Sequence, residues 1–406
     1  MAALKYWVWL TALPGLTNRS RWLLLAHFRS PEEIYYAEPE QLHLVEGITS
    51  AQSALLEDKS LHRAEEILAQ CAEKEIFILT VQDAAYPSRL RNIYDAPILL
   101  YGKGAMPLFD EEVAIAVVGT RKCSPYGIHC AEMLGYEMAK QGALVVSGLA
   151  KGIDAAALKG ALRAGGFTAA VLGCGVDVIY PPENRRLYED IAATGVLLSE
   201  YPPGSTPDGW HFPERNRIMS GLSVAAVVVE APEKSGALIT ANTALEQGRE
   251  VFAVPGPIDS VFSAGCNRLI REGAGLVTGG WDVLEGFAPR FAHRLHPDRT
   301  PLPPHPEADA VIPEQVPAAL VQEKPVLPVL DLKKNKDALT DDQRRIIRIL
   351  DTEEGKLTDE VAEETDLPVR RVLSALTVLE IDGYARQQSP RRFVRTVELM
   401  EEKKEG

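Results

Sequence analysis

From residue 113 onward, short apolar runs alternate with longer stretches in which apolar residues recur at helical spacing. The runs at 113–118, 144–147, 168–172, 196–199, 224–230 and 251–254 are apolar at nearly every position, as strands are when both of their faces are covered. Helical segments fall between them at 126–141, 154–164, 184–194, 217–222 and 237–248, and one more, 266–272, follows the last strand. Strands joined by helices in this order predict right-handed crossovers and an α/β fold built on a doubly wound parallel sheet.

The two ends of the chain read differently. Residues 21–28, 31–37, 39–44, 51–56 and 60–74 predict a set of helices. Within them Leu13-Pro14-Gly15-Leu16 and Val45-Glu46-Gly47-Ile48 place a glycine between apolar residues at a helix end. Helix-hairpin-helix units use such turns to aim backbone amides at a phosphate, but the glycine caps of any compact helical domain account for the same pattern. At the other end, Thr340-Asp341-Asp342-Gln343 is a capping box ahead of Ile346, Ile347 and Leu350. A second helix at 358–365, a third carrying Val372, Leu376 and Leu379, and an alternating stretch at 384–396 complete the pattern of a winged helix. Ten of the 28 prolines lie between Pro289 and Pro328, which predicts a semi-stiff spacer. The expected organisation is therefore a helical domain at 1–75, the sheet domain at 76–286, a proline-rich linker at 287–336 and a winged helix at 337–399.

Charge complicates any nucleic-acid reading. The 406 residues carry 43 Lys and Arg against 57 Asp and Glu, a formal charge of −14. Segments 1–109, 110–286 and 337–399 carry −3, −7 and −4, so a polyanion site has to be a local cluster on an acidic body. The five cysteines form no Cys-x-x-Cys pair and have no histidine at ligand spacing, which points to reduced, buried thiols and no metal. The first sixteen residues lack a basic leader and a small-residue cleavage site, and no apolar run is long enough to span a membrane. A cytoplasmic location is expected.

In an open parallel sheet, ligands bind beyond the carboxyl ends of the strands. Three glycine-rich loops lie there: Gly119-Thr120-Arg121-Lys122-Cys123-Ser124, Ser147-Gly148-Leu149-Ala150-Lys151-Gly152-Ile153-Asp154 and Gly173-Cys174-Gly175-Val176-Asp177. Together they describe a nucleotide or polyanion pocket. None is a Walker sequence or a complete G-x-G-x-x-G with its ribose-binding acid, which demotes ATP and NAD. The block Phe212-Pro213-Glu214-Arg215-Asn216-Arg217 offers two planar forks for phosphates and a ring for a base, a combination suited to a single strand; Trp210 could supply the ring instead. Arg121 and Lys151 add charge from neighbouring loops. The alternative for Arg215 and Arg217 is ion pairing with Glu214 or Glu200. Catalysis has little support: His129 and His211 lack partner spacing, and although a pair among the strand-end carboxylates Asp154, Asp177, Glu200 and Glu230 could serve as acid and base, Asp154 is explained as a helix cap and Glu200 and Glu230 as partners of the arginines.

These residues carry a resemblance. Tyr86-Pro87-Ser88-Arg89-Leu90-Arg91, Val118-Gly119-Thr120-Arg121, the Ser147 to Asp154 loop, Tyr180-Pro181-Pro182-Glu183-Asn184, Ser199-Glu200-Tyr201-Pro202-Pro203-Gly204, the Phe212 to Arg217 block, Ser235-Gly236-Ala237-Leu238-Ile239-Thr240-Ala241 and Gly265-Cys266-Asn267-Arg268 resemble, in order, the DprA/Smf family of bacterial DNA-processing proteins of natural transformation. The resemblance implies an extended Rossmann-like core that binds single-stranded DNA and forms a homodimer. It also implies a role in loading RecA recombinase onto strands coated by single-strand-binding protein, without turnover, metal or cofactor. It implies a DNA site drawn from Gly119, Arg121, Ser147, Gly148, Lys151, Gly152, Asp154, Gly173, Gly175, Phe212, Arg215, Asn216, Arg217, Ser235, Gly236 and Thr240. Family members usually carry a histidine where this chain has Leu158. A different class of function, a nucleotide phosphoribohydrolase on a similar glycine-lined sheet, would need Pro-Gly-Gly-x-Gly-Thr, where this chain has Glu230-Ala231-Pro232-Glu233-Lys234-Ser235-Gly236.

Overall fold

The computed structural model describes residues 3–297, 329–330, 339–352, 355–389 and 392–399. The chain divides into two compact units, residues 1–306 and 307–406.

The first unit opens with six helices, α1 (Leu4–Ala12), α2 (Asn18–Phe28), α3 (Pro31–Tyr36), α4 (Pro39–His43), α5 (Ser50–Leu55) and α6 (His62–Glu73). Helix α1 has no polar stripe, so periodicity misses it; it is buried along Trp7, Val8, Trp9 and Leu10. The sheet follows: β1 (Phe77–Thr80), α7 (Ser88–Arg91), β2 (Leu99–Gly104), β3 (Ala114–Val118), α8 (Pro125–Lys140), β4 (Leu144–Ser147), α9 (Ile153–Arg163), β5 (Thr168–Leu172), α10 (Arg185–Thr194) and β6 (Val196–Ser199). It continues with α11 (His211–Leu222), β7 (Ala225–Val228), α12 (Gly236–Glu246), β8 (Glu250–Ala253), α13 (Ala264–Arg271), β9 (Gly275–Leu276) and α14 (Gly280–Leu284).

The nine strands lie in the order β1-β2-β6-β5-β4-β3-β7-β8-β9. From β6 to β9 every pairing is parallel, while β2 joins β6, and β1 joins β2, antiparallel. The six expected strands are all present. Strands β1, β2 and the two-residue β9 are additions that extend the sheet at its two edges.

Alternation along β3 shows how both faces are filled. Ile115 and Val117 enter one core with residues of α8, α9 and α10. Ala114, Ala116 and Val118 enter the other, which runs without a break from α11, α12 and α13 into Trp7, Leu24, Leu42 and Ile67 of the amino-terminal helices. The helices expected as a separate domain at 1–75 thus share a core with one sheet face.

Two expectations change. The helix expected at 217–222 begins at His211, six residues earlier, because Pro213 sits in its first turn, where proline removes no intrahelical hydrogen bond. Most of the linker expected at 287–336 lies outside the described residues, but its beginning is packed: Phe291 and Leu295 are buried in the α8–α9 core.

The second unit contains α15 (Asp341–Ile349), α16 (Thr358–Thr365) and α17 (Val369–Ile381), with a sheet of β11 (Lys356–Leu357), β13 (Arg392–Arg395) and β12 (Ala385–Ser389). A short parallel pair, β10 (Val329–Leu330) and β14 (Glu398–Leu399), adjoins it in sequence. The capping box forms as expected: Thr340 Oγ1 accepts from Gln343 N, and Gln343 Oε1 accepts from Thr340 N at 2.7 Å. Ile346, Ile347, Val361, Val372, Leu376 and Leu379 form its core.

Candidate nucleic-acid interface

Chain order reverses across β3, with β4, β5 and β6 to one side and β7, β8 and β9 to the other. Such a switch point opens a crevice at the strand ends, and a cleft of about 680 Å³ lies there. It is lined by residues 118–122, Ala150, Tyr180, Phe212, Asn216, Lys234, Gly236 and Thr240, among others. A recess of about 70 Å³ adjoins it, bounded by Arg121, Gly148, Lys151, Gly173, Tyr180 and Phe212.

Each glycine loop is fixed by a buried polar group. Gly148 N donates to the Asp154 carboxylate at 3.1 Å, and Asn184 Nδ2 donates to Leu149 O at 2.9 Å. On the other side of this loop the Arg215 guanidinium donates to Gly148 O at 2.8 Å and to Val171 O. A Cβ on Gly148 would stand 2.4 Å from that guanidinium, so only glycine fits. Gly152 needs glycine for a different reason, its φ of +79°. Ser147 is buried and donates to Val117 O at 2.6 Å, so it stitches β4 to β3 and does not face the cleft.

Arg215 and Arg217 correct the sequence reading. With both on α11, two positions apart, their side chains leave the helix about 200° apart, so the structure does not bring the two guanidinium groups together. Arg215 borders the cleft but is only 4% exposed, its guanidinium taken up by the carbonyls of Gly148 and Val171. Burial lowers its pKa to about 10, Asp154 opposes that shift and Arg121 adds to it, so the group stays charged at neutral pH. Burial raises the Asp154 carboxyl, and Arg215 opposes the rise. Arg217 takes up the ion-pair alternative, reaching Glu200 at 2.6 Å and Asp95 at 3.2 Å. Burial works against its charge, but the two carboxylates leave its pKa raised. Glu200 also accepts from Asn18 Nδ2 of the amino-terminal helices. Glu230 does not pair with an arginine; its carboxylate accepts from Ser124 N and Oγ.

Gly175 is also displaced from the site. Its N–H donates to Ser205 O, and the adjoining Asp177 turns to Lys74 of the segment after α6, at 2.5 Å, and to Gly204 N. His211 is buried with Nδ1 3.0 Å from Gly173 O. Leu158 is fully buried in the α8–α9 core.

What remains on the cleft is compact. Arg121 is exposed and lies over the Phe212 ring at 4.8 Å, and Phe212 and Tyr180 have centroids 5.6 Å apart. Lys122 and Lys234 are exposed, and among the described residues neither they nor Arg121 is in an ion pair; Lys151 pairs with exposed Glu183. Ser235 caps α12 by accepting from Ala237 N, and Thr240 Oγ1 donates to Gly236 O, so both shape the far wall. Sequence reasoning did not select Lys122, Tyr180 and Lys234 as site residues. Lys234 lies in the loop after β7, the other strand at the switch point, and reading that loop for charge would have found it.

The family model of DNA recombination-mediator protein A matches residues 77–288, more than half of the chain. The chain belongs to the DprA family. A DprA winged helix domain matches residues 331–389 of this DprA-family chain. Protein Smf of Synechocystis is 33% identical over 400 residues, spanning 96% of this chain and 98% of that one. DNA processing protein DprA of Streptococcus pneumoniae is 49% identical over 208 residues, 51% of this chain and 73% of the relative. The X-ray structure of DprA from Streptococcus pneumoniae superposes with a TM-score of 0.60 at 39% identity, covering 69% of this chain and 97% of that one. Among the described residues no helix is long and apolar enough to cross a membrane, and no cluster of His, Cys, Asp and Glu could hold a metal ion.

Proposed function

We propose that the cleft binds single-stranded DNA and that the chain acts as a recombination mediator without turnover. The carrying observation is a local one: three exposed cations without ion-pair partners, Arg121, Lys122 and Lys234, converge with the Phe212 and Tyr180 rings on one cleft of an acidic protein. Cations track phosphates, and exposed ring faces accept any base. Two carboxylates that a hydrolase could use, Asp154 and Glu230, are buried and engaged by backbone and hydroxyl donors, which favours binding over chemistry.

Loading of RecA recombinase, exchange with single-strand-binding protein, homodimer formation and a role in transformation belong to the same proposal and rest on family membership. So does the working division into a helical region at 1–75, a DNA-binding core at 76–286, a linker at 287–336 and a winged helix at 337–399. The test is fluorescence anisotropy with a labelled oligothymidylate and a matched duplex. Arg121→Ala and Lys234→Ala should each weaken single-strand binding about tenfold or more at fixed salt while moving the melting temperature by no more than about 1–2 °C. Undiminished affinity in both variants would remove the cleft from consideration.

A further inference from the structure

In a Rossmann-like sheet the helix after the first parallel strand presents its N-terminus to a ligand's phosphate, because its first amides lack partners and its dipole is positive there. In this chain that helix is α8, sixteen residues long, following the loop after β3. Its N-terminus already has an anion. Glu230, just beyond the end of β7 and 2% exposed, accepts from Ser124 N at 2.9 Å and from Ser124 Oγ, while Ser124 Oγ in turn accepts from Gly127 N. A Cβ on Gly127 would lie 2.2 Å from Glu230 Oε2, so the carboxylate rests directly on the first helical turn. The Glu230 carbonyl also accepts from Thr120 N at 2.8 Å. One residue therefore holds both ends of the 120–124 segment that carries Arg121 and Lys122.

We propose that Glu230 is a built-in anion that determines which polyanion the cleft takes. It fills the place where a free nucleotide's phosphate would sit, closing it to mononucleotides and dinucleotides. At the same time it pins the cation loop so that Arg121 and Lys122 stand at the cleft surface, where phosphates of a continuous strand can reach them. Glu230 is thus a positioning and specificity residue, and this role rests on the cleft being the strand-binding site.

The experiment compares full-length wild type with Glu230→Ala, Glu230→Gln and Arg121→Ala. Alanine vacates the end of α8, so millimolar inorganic phosphate should raise the melting temperature of Glu230→Ala above that in chloride of matched ionic strength, and leave wild type unmoved. Glutamine keeps the volume but removes the charge, so the bonds to Ser124 N–H and Oγ lose their charge assistance. Single-strand affinity should then fall about tenfold, the scale of one lost charge-assisted hydrogen bond, with an unchanged circular dichroism spectrum. If Glu230→Ala does not fold, the glutamine variant alone decides. Equal phosphate response in Glu230→Ala and wild type overturns the closure of the nucleotide site. Wild-type strand affinity in Glu230→Gln overturns the positioning role. If Arg121→Ala also binds as wild type does, the cleft reading itself fails; if only the glutamine variant does, the failure is confined to Glu230.

Discussion

Replacing Arg215 with alanine separates a structural from a contacting role for the most prominent arginine of the chain. The guanidinium bonds Gly148 O, Val171 O and the Asn216 side chain, and it compensates the buried Asp154 carboxylate. Removing the guanidinium takes the donor from two buried carbonyls and the nearby positive charge from buried Asp154; at about 1–3 kcal/mol per buried polar group left without its partner, the cost is about 3–5 kcal/mol. Against a total stability of about 5–15 kcal/mol, that is a large share, and for a unit of this size it corresponds to a fall in melting temperature of about 5–8 °C. Arg121→Ala, an exposed change, should move the melt by only about 1–2 °C. Thermal and guanidinium melts followed by circular dichroism measure both, with strand affinity taken by anisotropy well below the transition. The variant Asp154→Asn/Arg215→Met should recover part of the loss, since no unpaired buried charge remains. An Arg215→Ala protein as stable as wild type but unable to bind a strand would show that the guanidinium reaches phosphate and that the burial argument is wrong.

Other consequences follow from the same geometry. Arg121, Lys122, Lys151 and Lys234 are the cleft cations, so at about 0.7 per phosphate on a single strand the slope of log affinity against log salt should not exceed about 3 per subunit, and Lys234→Ala should reduce it by about 0.7. Gly148→Ala forces a Cβ against the Arg215 guanidinium and should destabilise by about 1–3 kcal/mol in a denaturant titration. The Asp177 carboxyl is desolvated, but its bonds to Lys74 and Gly204 hold its pKa below the ordinary 3.8. Its contribution is therefore present above that value and lost as pH falls through the lowered one. Lys74 is raised above 10.5, mainly by its bond to Asp177, and contributes below that value. Lys74→Met should lower stability by about 0.5–1 kcal/mol at neutral pH and converge with wild type in melts as pH falls through the lowered Asp177 value.

The doubly wound sheet was legible because its strands are apolar on both faces, as Ala114 to Val118 are, and because their glycine loops fall at the carboxyl ends. Periodicity could not show α1, whose tryptophans are buried all round, nor the start of α11, where Pro213 looks like a break. That second miss had a functional cost. Read as a loop, Arg215 and Arg217 appear to face one strand; wound into a helix, they leave it on opposite sides, Arg215 toward the carbonyls of Gly148 and Val171 and Arg217 toward Glu200 and Asp95. Arg121 and Lys151 were legible from their glycine loops, whereas Lys122 and Lys234 carry no pattern of their own and become visible as cleft cations only when the loops after β3 and β7 are brought together.

Phe291 and Leu295 set a practical limit on how the chain can be shortened. Both belong to the core beneath α8 and α9, Arg294 reaches Glu112 at 2.8 Å, and His296 N donates to Gln141 O. A protein cut at residue 286, where proline enrichment begins, would lose two buried apolar side chains and leave a greasy scar against α8, inviting aggregation. A cut a few residues beyond His296 keeps that seal closed, and it is the place to separate the sheet unit from the winged helix for binding measurements.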